Sequence, residues 1–149
     1  MNPADRTELS ALVHRYAAGV DDRDIDGVVE LLSPEAELVL PNPPDVLDPV
    51  RAHRGADAIR AALDTVTTVG RTHHSIGSEV YYVGARDDVA RGRIGGTAHH
   101  WSRDHDTVTD LVWYLRYDDD YRRTESGWLL TRRALTIDAI ETRPARRLR

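Results

Sequence analysis

The chain has 149 residues, 40% of them hydrophobic and 30% charged, which is enough for one globular domain with a single core. Its net charge of −5, with arginines interleaved among acids, argues against nucleic-acid binding, and no apolar run is long enough to cross a membrane. The absence of cysteine excludes disulfides and thiolate chemistry. Since there is also no apolar signal segment, we expect a cytoplasmic protein.

The N-terminal part of the chain is predicted to begin with two helices. Residues 3–20 carry apolar side chains at helical spacing, and Pro3 stands in the first turn, where proline is favoured. A short second helix follows, capped by Asp22 or Asp24 and ended by Pro34. The first helix is amphipathic, so we expect it to pack one face against the core.

The next segment is predicted to contain one strand, one loop and one helix. The letters AELVL, residues 36–40, indicate a short strand. The letters PNPPDVLDP, residues 41–49, indicate a proline-rich loop within the domain. A third helix follows Gly55 and carries Ile59 and Leu63.

From residue 71 onward the pattern changes to a period of two, which is typical of β-strands. Residues 71–84, 88–101, 107–123 and 127–140 are rich in β-branched and aromatic residues and are separated by turn-like stretches. Three helices followed by such a meander predict an α+β fold. We expect the helices to pack on one face of a curved antiparallel sheet, in a single domain that spans residues 1–149.

Four of the seven histidines stand in two doublets, His73-His74 and His99-His100. Adjacent residues of a strand point to opposite faces, so at most one histidine of each doublet faces inward, and we predict no metal site. His74 alternates in phase with Ile76, Val80 and Tyr82, which makes it the inward candidate. In the second doublet, simple alternation points His100 inward, whereas a bulge at the neighbouring glycines would point His99 inward instead.

Alternation also places a charged pair in line with the core. In strand 107–123 one face carries Asp119 together with the apolar set Leu111, Trp113, Leu115, Tyr117 and Tyr121. In the last strand Arg133 shares its face with Leu129, Thr131, Leu135 and Ile137. A buried carboxylate and guanidinium are costly unless they pair or take part in binding. The pattern leaves both roles open: a structural Asp119–Arg133 salt bridge, or a polar part of a pocket.

Asp21 is one of three acids within four residues just after the first predicted helix. A capping or solvent-facing role is the default for such an acid. If its carboxylate instead points inward beside His74, it would hold the imidazole in one tautomer and raise its basicity. A general base requires both effects.

Three stretches resemble the SnoaL-like, nuclear-transport-factor-like superfamily of α+β cones, and the likeness extends over nearly the whole chain. They are VDDRDIDGVVELLSPEAEL, RTHHSIGS and RYDDDYRRTESGWLLTRR. The nearest likeness is to the scytalone dehydratases, bile acid 7α-dehydratases and hexachlorocyclohexane dehydrochlorinases. The resemblance implies a cone-shaped sheet that encloses a pocket with three helices, and it implies a homo-oligomer, either a dimer or a trimer.

Matched position by position, the resemblance implies roles for four catalytic candidates. His74 corresponds to the general base of these lyases, and Asp21 to the carboxylate that pairs with it. Tyr16 corresponds to a catalytic tyrosine of the bile acid enzymes. His99, rather than His100, corresponds to the second pocket histidine of the scytalone dehydratases.

The same matching implies a mixed set of substrate-binding residues. Asp119 and Arg133 correspond to polar pocket positions of the dehydrochlorinases. Val20, Leu115 and Tyr117 stand where the scytalone dehydratases have tyrosine, serine and asparagine, so scytalone itself is not expected as the substrate. We expect the pocket wall to be shaped by Trp113, Leu115 and Tyr117.

These features together favour a cofactor-independent lyase or isomerase, similar to the dehydratases, that acts on a small, mainly apolar, ring-containing hydroxy or keto compound. His74, oriented by Asp21, would remove a proton from carbon. Tyr16, His99 or Arg133 would stabilise the developing oxyanion or protonate the departing hydroxyl.

Two other functions remain open at this stage. One is an enzyme of the polyketide-cyclase or ketosteroid-isomerase type, with Asp119 or Asp21 as base. The other is a non-catalytic small-molecule or partner-binding domain, since fold alone does not decide function. A metal hydrolase has the least support. The outer face of the long sheet, which carries Val112 and Tyr114, is the expected surface for homo-oligomers.

Overall fold

Three helices, one 3-10 turn and six strands make up the fold, and the computed structural model describes all of residues 1–149. In chain order the elements are α1 (Pro3–Asp22), α2 (Ile25–Val29), β1 (Leu32–Asn42), β2 (Val46–Arg54), α3 (Ala56–Asp64), a 3-10 turn (Thr65–Thr68), β3 (Arg71–Val83), β4 (Val89–Asp104), β5 (Thr107–Thr124) and β6 (Gly127–Ala145). No helix is both long and apolar enough to span a bilayer.

The predicted α+β class is confirmed. The six strands form one curved sheet in the order β2-β1-β6-β5-β4-β3, and three helices accompany it. All neighbouring pairs are antiparallel except β1 and β6, which run parallel, so the sheet is mixed. A cluster of 22 buried residues joins the three helices to one face of the sheet, which we call the inner face.

Helix α1 has well-defined ends, and its second end positions the functional region. The Asn2 side chain accepts a hydrogen bond from the backbone N–H of Asp5 at 2.8 Å, and Pro3 occupies the first turn as predicted. Arg23 ends the helix in the left-handed conformation, with φ +64°. Asp24, rather than Asp22, then caps α2 by accepting from the N–H of Gly27 at 3.0 Å.

The proline-rich stretch between α2 and α3 differs from the prediction. Helix α2 already ends at Val29, Pro34 lies inside β1, and residues 46–49 of the predicted loop belong to the strand β2, Val46–Arg54. Strand β2 lies at the edge of the sheet, where a proline such as Pro49 is tolerated and many side chains stay exposed. It therefore lacks the apolar alternation by which a strand is recognised in a sequence.

Two bulges shift the predicted alternation of side chains. In β6, Thr131 is an extra residue between the pairs Asp120–Arg132 and Tyr121–Leu130. As a result Trp128 and Leu130 are buried, in place of the predicted Leu129.

In β3 the extra residue is Gly77. Before it His74 and Ile76 keep the predicted phase. After it Tyr81 packs against the core, whereas Val80 and Tyr82 are exposed rather than inward.

The outer face of the sheet also differs from expectation at Val112. Its register partners are His99 on β4 and Glu141 on β6, and its side chain is completely buried between these neighbouring strands. Val112 is therefore not part of an exposed apolar surface.

The burial of Val112 predicts a measurable difference between two identical substitutions on strands. We expect Val112→Ala, at 0% exposure, to lower the free energy of unfolding by about 1–3 kcal/mol. Val50→Ala on β2, at 55% exposure, is the matched control and should change it by less than about 0.5 kcal/mol. Urea denaturation measures both, and equal effects would contradict the burial of the outer face at Val112.

Candidate active site

A cavity of about 520 Å³ lies between the helices and the inner face of the sheet, within the usual size range of small-molecule sites. Twelve of its 21 lining residues are hydrophobic, so its wall is mainly apolar. The apolar part includes Val20, Leu38, Leu40, Leu63, Leu111, Trp113 and Leu135. The polar part includes the side chains of Tyr16, Tyr117, His74 and His100.

His74 lines this cavity and is held by Asp21 from the end of α1. The ring Nδ1 of His74 lies 2.7 Å from Oδ1 of Asp21, and the backbone N–H of His74 donates to Oδ2 of the same carboxylate at 2.7 Å. A carboxylate partner at Nδ1 assigns the proton to that nitrogen and leaves the lone pair on Nε2. The His74 side chain is only 12% exposed. The structure thus brings together the two residues that the sequence analysis singled out as a pair.

Two further side chains hold the Asp21 carboxylate in place. Thr72 donates its hydroxyl to Oδ1 of Asp21 at 3.0 Å, and Arg23 donates from Nη1 to the Thr72 hydroxyl oxygen at 2.7 Å. Because Arg23 occupies the Thr72 oxygen as a donor, the Thr72 proton is directed at Asp21. Arg23 also donates to the backbone carbonyls of Val20 and Val69, at 3.0 and 3.2 Å. The sequence analysis missed this network, since nothing distinguished Arg23 from the other arginines.

The pKa of Asp21 reflects this environment. Burial raises the pKa, but the hydrogen bonds from the ring and backbone of His74, the charge of His74 and the hydrogen bond from Thr72 lower it. The net result is a pKa below the ordinary value, so Asp21 is ionised at neutral pH.

Asp119 and Arg133 form a buried salt bridge next to the cavity rather than on its wall. They are direct register partners on β5 and β6, and Arg133 donates from Nε and Nη2 to the two oxygens of Asp119, at 2.9 and 2.7 Å. Tyr121 also donates to Asp119, at 2.6 Å. The two charged side chains are 1% and 0% exposed. Neither Asp119 nor Arg133 lines the cavity, and Leu115 is likewise buried in the core without lining it. The contacts of these three residues with a substrate stay a prediction.

The Arg133 guanidinium packs against two aromatic rings that line the cavity and that contact each other edge to face. Its central carbon is 4.1 Å from the ring centroid of Tyr16 and 4.2 Å from that of Tyr117. Burial raises the pKa of both tyrosines above the ordinary value, so both hydroxyls are protonated at neutral pH. Tyr117 and Trp113, expected on the pocket wall, and the catalytic candidate Tyr16 all line this cavity.

In the second doublet, His100 faces the cavity, whereas the family resemblance implied His99. His100 lines the cavity, with its ring centroid 6.3 Å from that of His74 and 4.4 Å from that of Trp113. His99 points to the outer face, where its Nδ1 lies 2.8 Å from Asp110 and its ring stacks on Trp101. The reason is that β4 pairs with β5 without any shift of register, so simple alternation holds and the bulge lies at Gly77 instead.

His100 has a defined tautomer as well. Its Nδ1 lies 3.0 Å from the carbonyl oxygen of Leu111, which assigns the proton to Nδ1 and the lone pair to Nε2. Burial lowers the pKa of His100 below its ordinary value, only partly offset by that hydrogen bond. The cavity thus contains two imidazoles whose Nδ1 protons are held by the protein.

A larger open groove, of about 1410 Å³, is bounded by the exposed pairs Arg91–Asp120 and Arg93–Asp118. It contains neither His74 nor His100. No three His, Asp or Glu side chains converge as metal ligands would. The inward-facing histidines His74 and His100 therefore belong to the smaller, apolar cavity.

Comparison with known proteins gives a family match and several similar folds. The SnoaL-like domain family matches residues 3–134. A scytalone dehydratase-like protein of Novosphingobium aromaticivorans has a TM-score of 0.79 at 17% identity, covering 93% of this chain and 87% of that one. The hexachlorocyclohexane dehydrochlorinase LinA-type3 of Novosphingobium barchaimii LL02 has a TM-score of 0.75 at 13% identity, covering 95% and 90%.

An NTF2-like protein with a cystatin-like fold from Novosphingobium aromaticivorans has a TM-score of 0.67 at 24% identity, covering 91% of this chain and 82% of that one. Other similar structures belong to proteins of unknown function. Comparison with curated protein sequences gives no significant match. At these identities the structural likeness establishes the fold and not the reaction.

The lowered pKa of Asp21 predicts how stability depends on pH. A carboxylate whose pKa is below the ordinary 3.8 in the folded chain stabilises the fold above that value, and this contribution is lost as the pH falls through the folded pKa. We therefore expect Asp21→Asn to lower the free energy of unfolding more at about pH 7 than near pH 2–3. Urea denaturation across this range measures the difference, with Asp22→Asn as the exposed neighbouring control. A loss that is independent of pH would contradict the assignment.

The buried salt bridge predicts a second effect on stability. Asp119→Ala should lower the free energy of unfolding by about 3–5 kcal/mol, because it leaves the Arg133 guanidinium buried without its partner. The double substitution Asp119→Leu with Arg133→Met should recover most of this loss, since no uncompensated charge remains. Thermal and urea denaturation measure both. A double variant no more stable than the single one would show that the pair does more than balance charge.

Proposed function

The chain belongs to the SnoaL-like family, and on that premise we propose that it is a cofactor-independent lyase acting on a small, mainly apolar cyclic hydroxy-ketone. The observation that carries the proposal is the His74 imidazole, fixed by Asp21 at the wall of an apolar cavity. The dehydratase and dehydrochlorinase activities named for two similar structures support it, since both are eliminations. The family match alone establishes a fold, and the proposal adds a reaction to it.

In the proposed step, Nε2 of His74 removes a proton from the carbon next to the substrate carbonyl. The Nδ1 proton stays in its hydrogen bond to Asp21, and the carboxylate stabilises the imidazolium that forms. The enolate then expels the β-hydroxyl group, which takes a proton from the imidazolium and leaves as water. A single positioned base contributes about 10²–10⁴-fold to such a rate.

The developing enolate oxygen needs hydrogen-bond donors in the same cavity. Tyr16 and Tyr117 supply them, because their raised pKa keeps both hydroxyls protonated as donors at neutral pH. The Arg133 cation beside both rings lowers the pKa of both hydroxyls and so partly offsets the effect of burial. His100, neutral and with its lone pair on Nε2, accepts a hydrogen bond from the substrate hydroxyl and orients it.

The geometry does not favour the alternative in which Asp119 is the base. Its two oxygens accept from Arg133 and Tyr121, and it does not border the cavity. An isomerase or cyclase that uses His74 would share the enolate and differ only in losing no leaving group.

The experiment incubates the protein in D₂O with a panel of bicyclic ketones and β-hydroxyketones and follows α-proton exchange and water loss by NMR. We expect exchange, with an alkene product from the β-hydroxyketones, and a loss of about 10²–10⁴-fold in His74→Ala and a clear loss in Asp21→Asn. His100→Ala and His99→Ala form a matched pair, in which only the cavity-facing His100 should affect the rate.

Each outcome of this experiment has a distinct meaning. Exchange without an alkene product would favour the isomerase or cyclase over the lyase. Exchange that survives His74→Ala would contradict the proposal, because the base would then lie elsewhere. An equal loss in His99→Ala and His100→Ala would contradict the assignment of His100 to the site.

A further inference from the structure

Edge strand β2 contributes two basic side chains to the cavity, Arg51 and His53. Their register partners on β1 are Leu40 and Leu38, which line the same cavity. Directly paired residues of an antiparallel ladder point to the same face, so Arg51 and His53 belong to the inner face of the sheet. Arg51 is exposed, so its guanidinium borders the cavity from the open edge of the sheet.

Arg51 is the only Arg, Asp or Glu among the residues that line this cavity. The chain has 25 acidic and 20 basic residues, yet none of the 21 lining residues is Asp or Glu. Asp21 itself does not line the cavity, although its partner His74 does. A cavity in a net acidic protein thus presents a single positive charge and no negative one.

Arg51 also lacks a counter-ion within the chain. Its side chain donates only one long hydrogen bond, 3.4 Å to the side-chain oxygen of Asn42, and forms no ion pair. Arg54, three residues along the same strand, is paired with Glu37. Since the guanidinium fork of Arg51 is not engaged by a carboxylate of the protein, it is available to one from outside.

We infer that the substrate of this cavity carries a carboxylate, which Arg51 binds, while the apolar ring system extends into the cavity towards His74. The inference rests on the proposed function for the His74 end of the substrate, but not for its anionic end. One arginine matches a group with a single negative charge, whereas a phosphate dianion is generally held by several donors. Because Arg51 is exposed, it also attracts an anion to a protein whose net charge would otherwise repel it.

The test measures the binding of two probes of the same size and shape, 2-naphthoate and 2-naphthamide, by isothermal titration calorimetry and ligand-observed NMR. We expect the wild-type chain to bind the carboxylate about tenfold more tightly than the amide. Arg51→Gln should abolish this preference, and Arg51→Lys should keep part of it. Arg54→Gln, on the same strand but already paired with Glu37, should leave the preference unchanged.

The His74→Ala variant separates this inference from the proposed function. It should keep the preference for 2-naphthoate, since the anionic end of the ligand does not depend on the base. The inference is overturned if the amide binds as tightly as the acid, if the preference survives Arg51→Gln, or if neither probe binds. In each of these cases the proton-exchange experiment on His74 still decides the reaction independently.

Discussion

The hydrogen bonds between Asp21 and His74 are the constraint on which the site depends. They join the end of α1 to β3, and one carboxylate fixes both the backbone and the ring of the same residue. The left-handed turn at Arg23 makes this possible, because it ends the helix two residues after Asp21 and lets Arg23 reach Thr72 on the strand. One polar cluster, made of Asp21, Arg23 and Thr72, therefore fixes the positions of the helix end, the strand and the His74 ring relative to one another.

The buried pair Asp119–Arg133 lies behind two aromatic residues of the same cavity wall, Tyr16 and Tyr117. A salt bridge of this kind contributes little net stability when balanced, and its value here lies in the position it gives to the guanidinium. Arg133 packs against the rings of both Tyr16 and Tyr117, which line the mainly apolar cavity. The Arg133 guanidinium thus stays buried, and its positive charge lies against two rings that line the cavity.

The sequence predicted the α+β class and the four long strands, and alternation pointed His74 inward, because alternation and helical spacing are local signals. The pairing of His74 with Asp21 was implied only by the family resemblance, since a capping or solvent-facing role is the default for such an acid. The predicted side-chain alternation was wrong where one extra residue shifts the register of a strand. Thr131 and Gly77 are such bulges, and the local sequence pattern does not reveal them. The residue pattern left the choice between His99 and His100 open for the same reason, because a bulge in β4 would have reversed it; the resemblance implied His99, whereas His100 lines the cavity and the bulge lies in β3. Strand β2 and its Arg51 were missed because an exposed edge strand has no apolar alternation.

The most direct test of this account is the tautomer of His74, measured by long-range ¹H–¹⁵N NMR on the folded protein without any substrate. We expect a proton on Nδ1, hydrogen-bonded to Asp21, and an unprotonated Nε2, with the Nδ1 proton signal lost in Asp21→Asn. A proton on Nε2, or a His74 spectrum that Asp21→Asn leaves unchanged, would contradict the claim that His74 is positioned as a base.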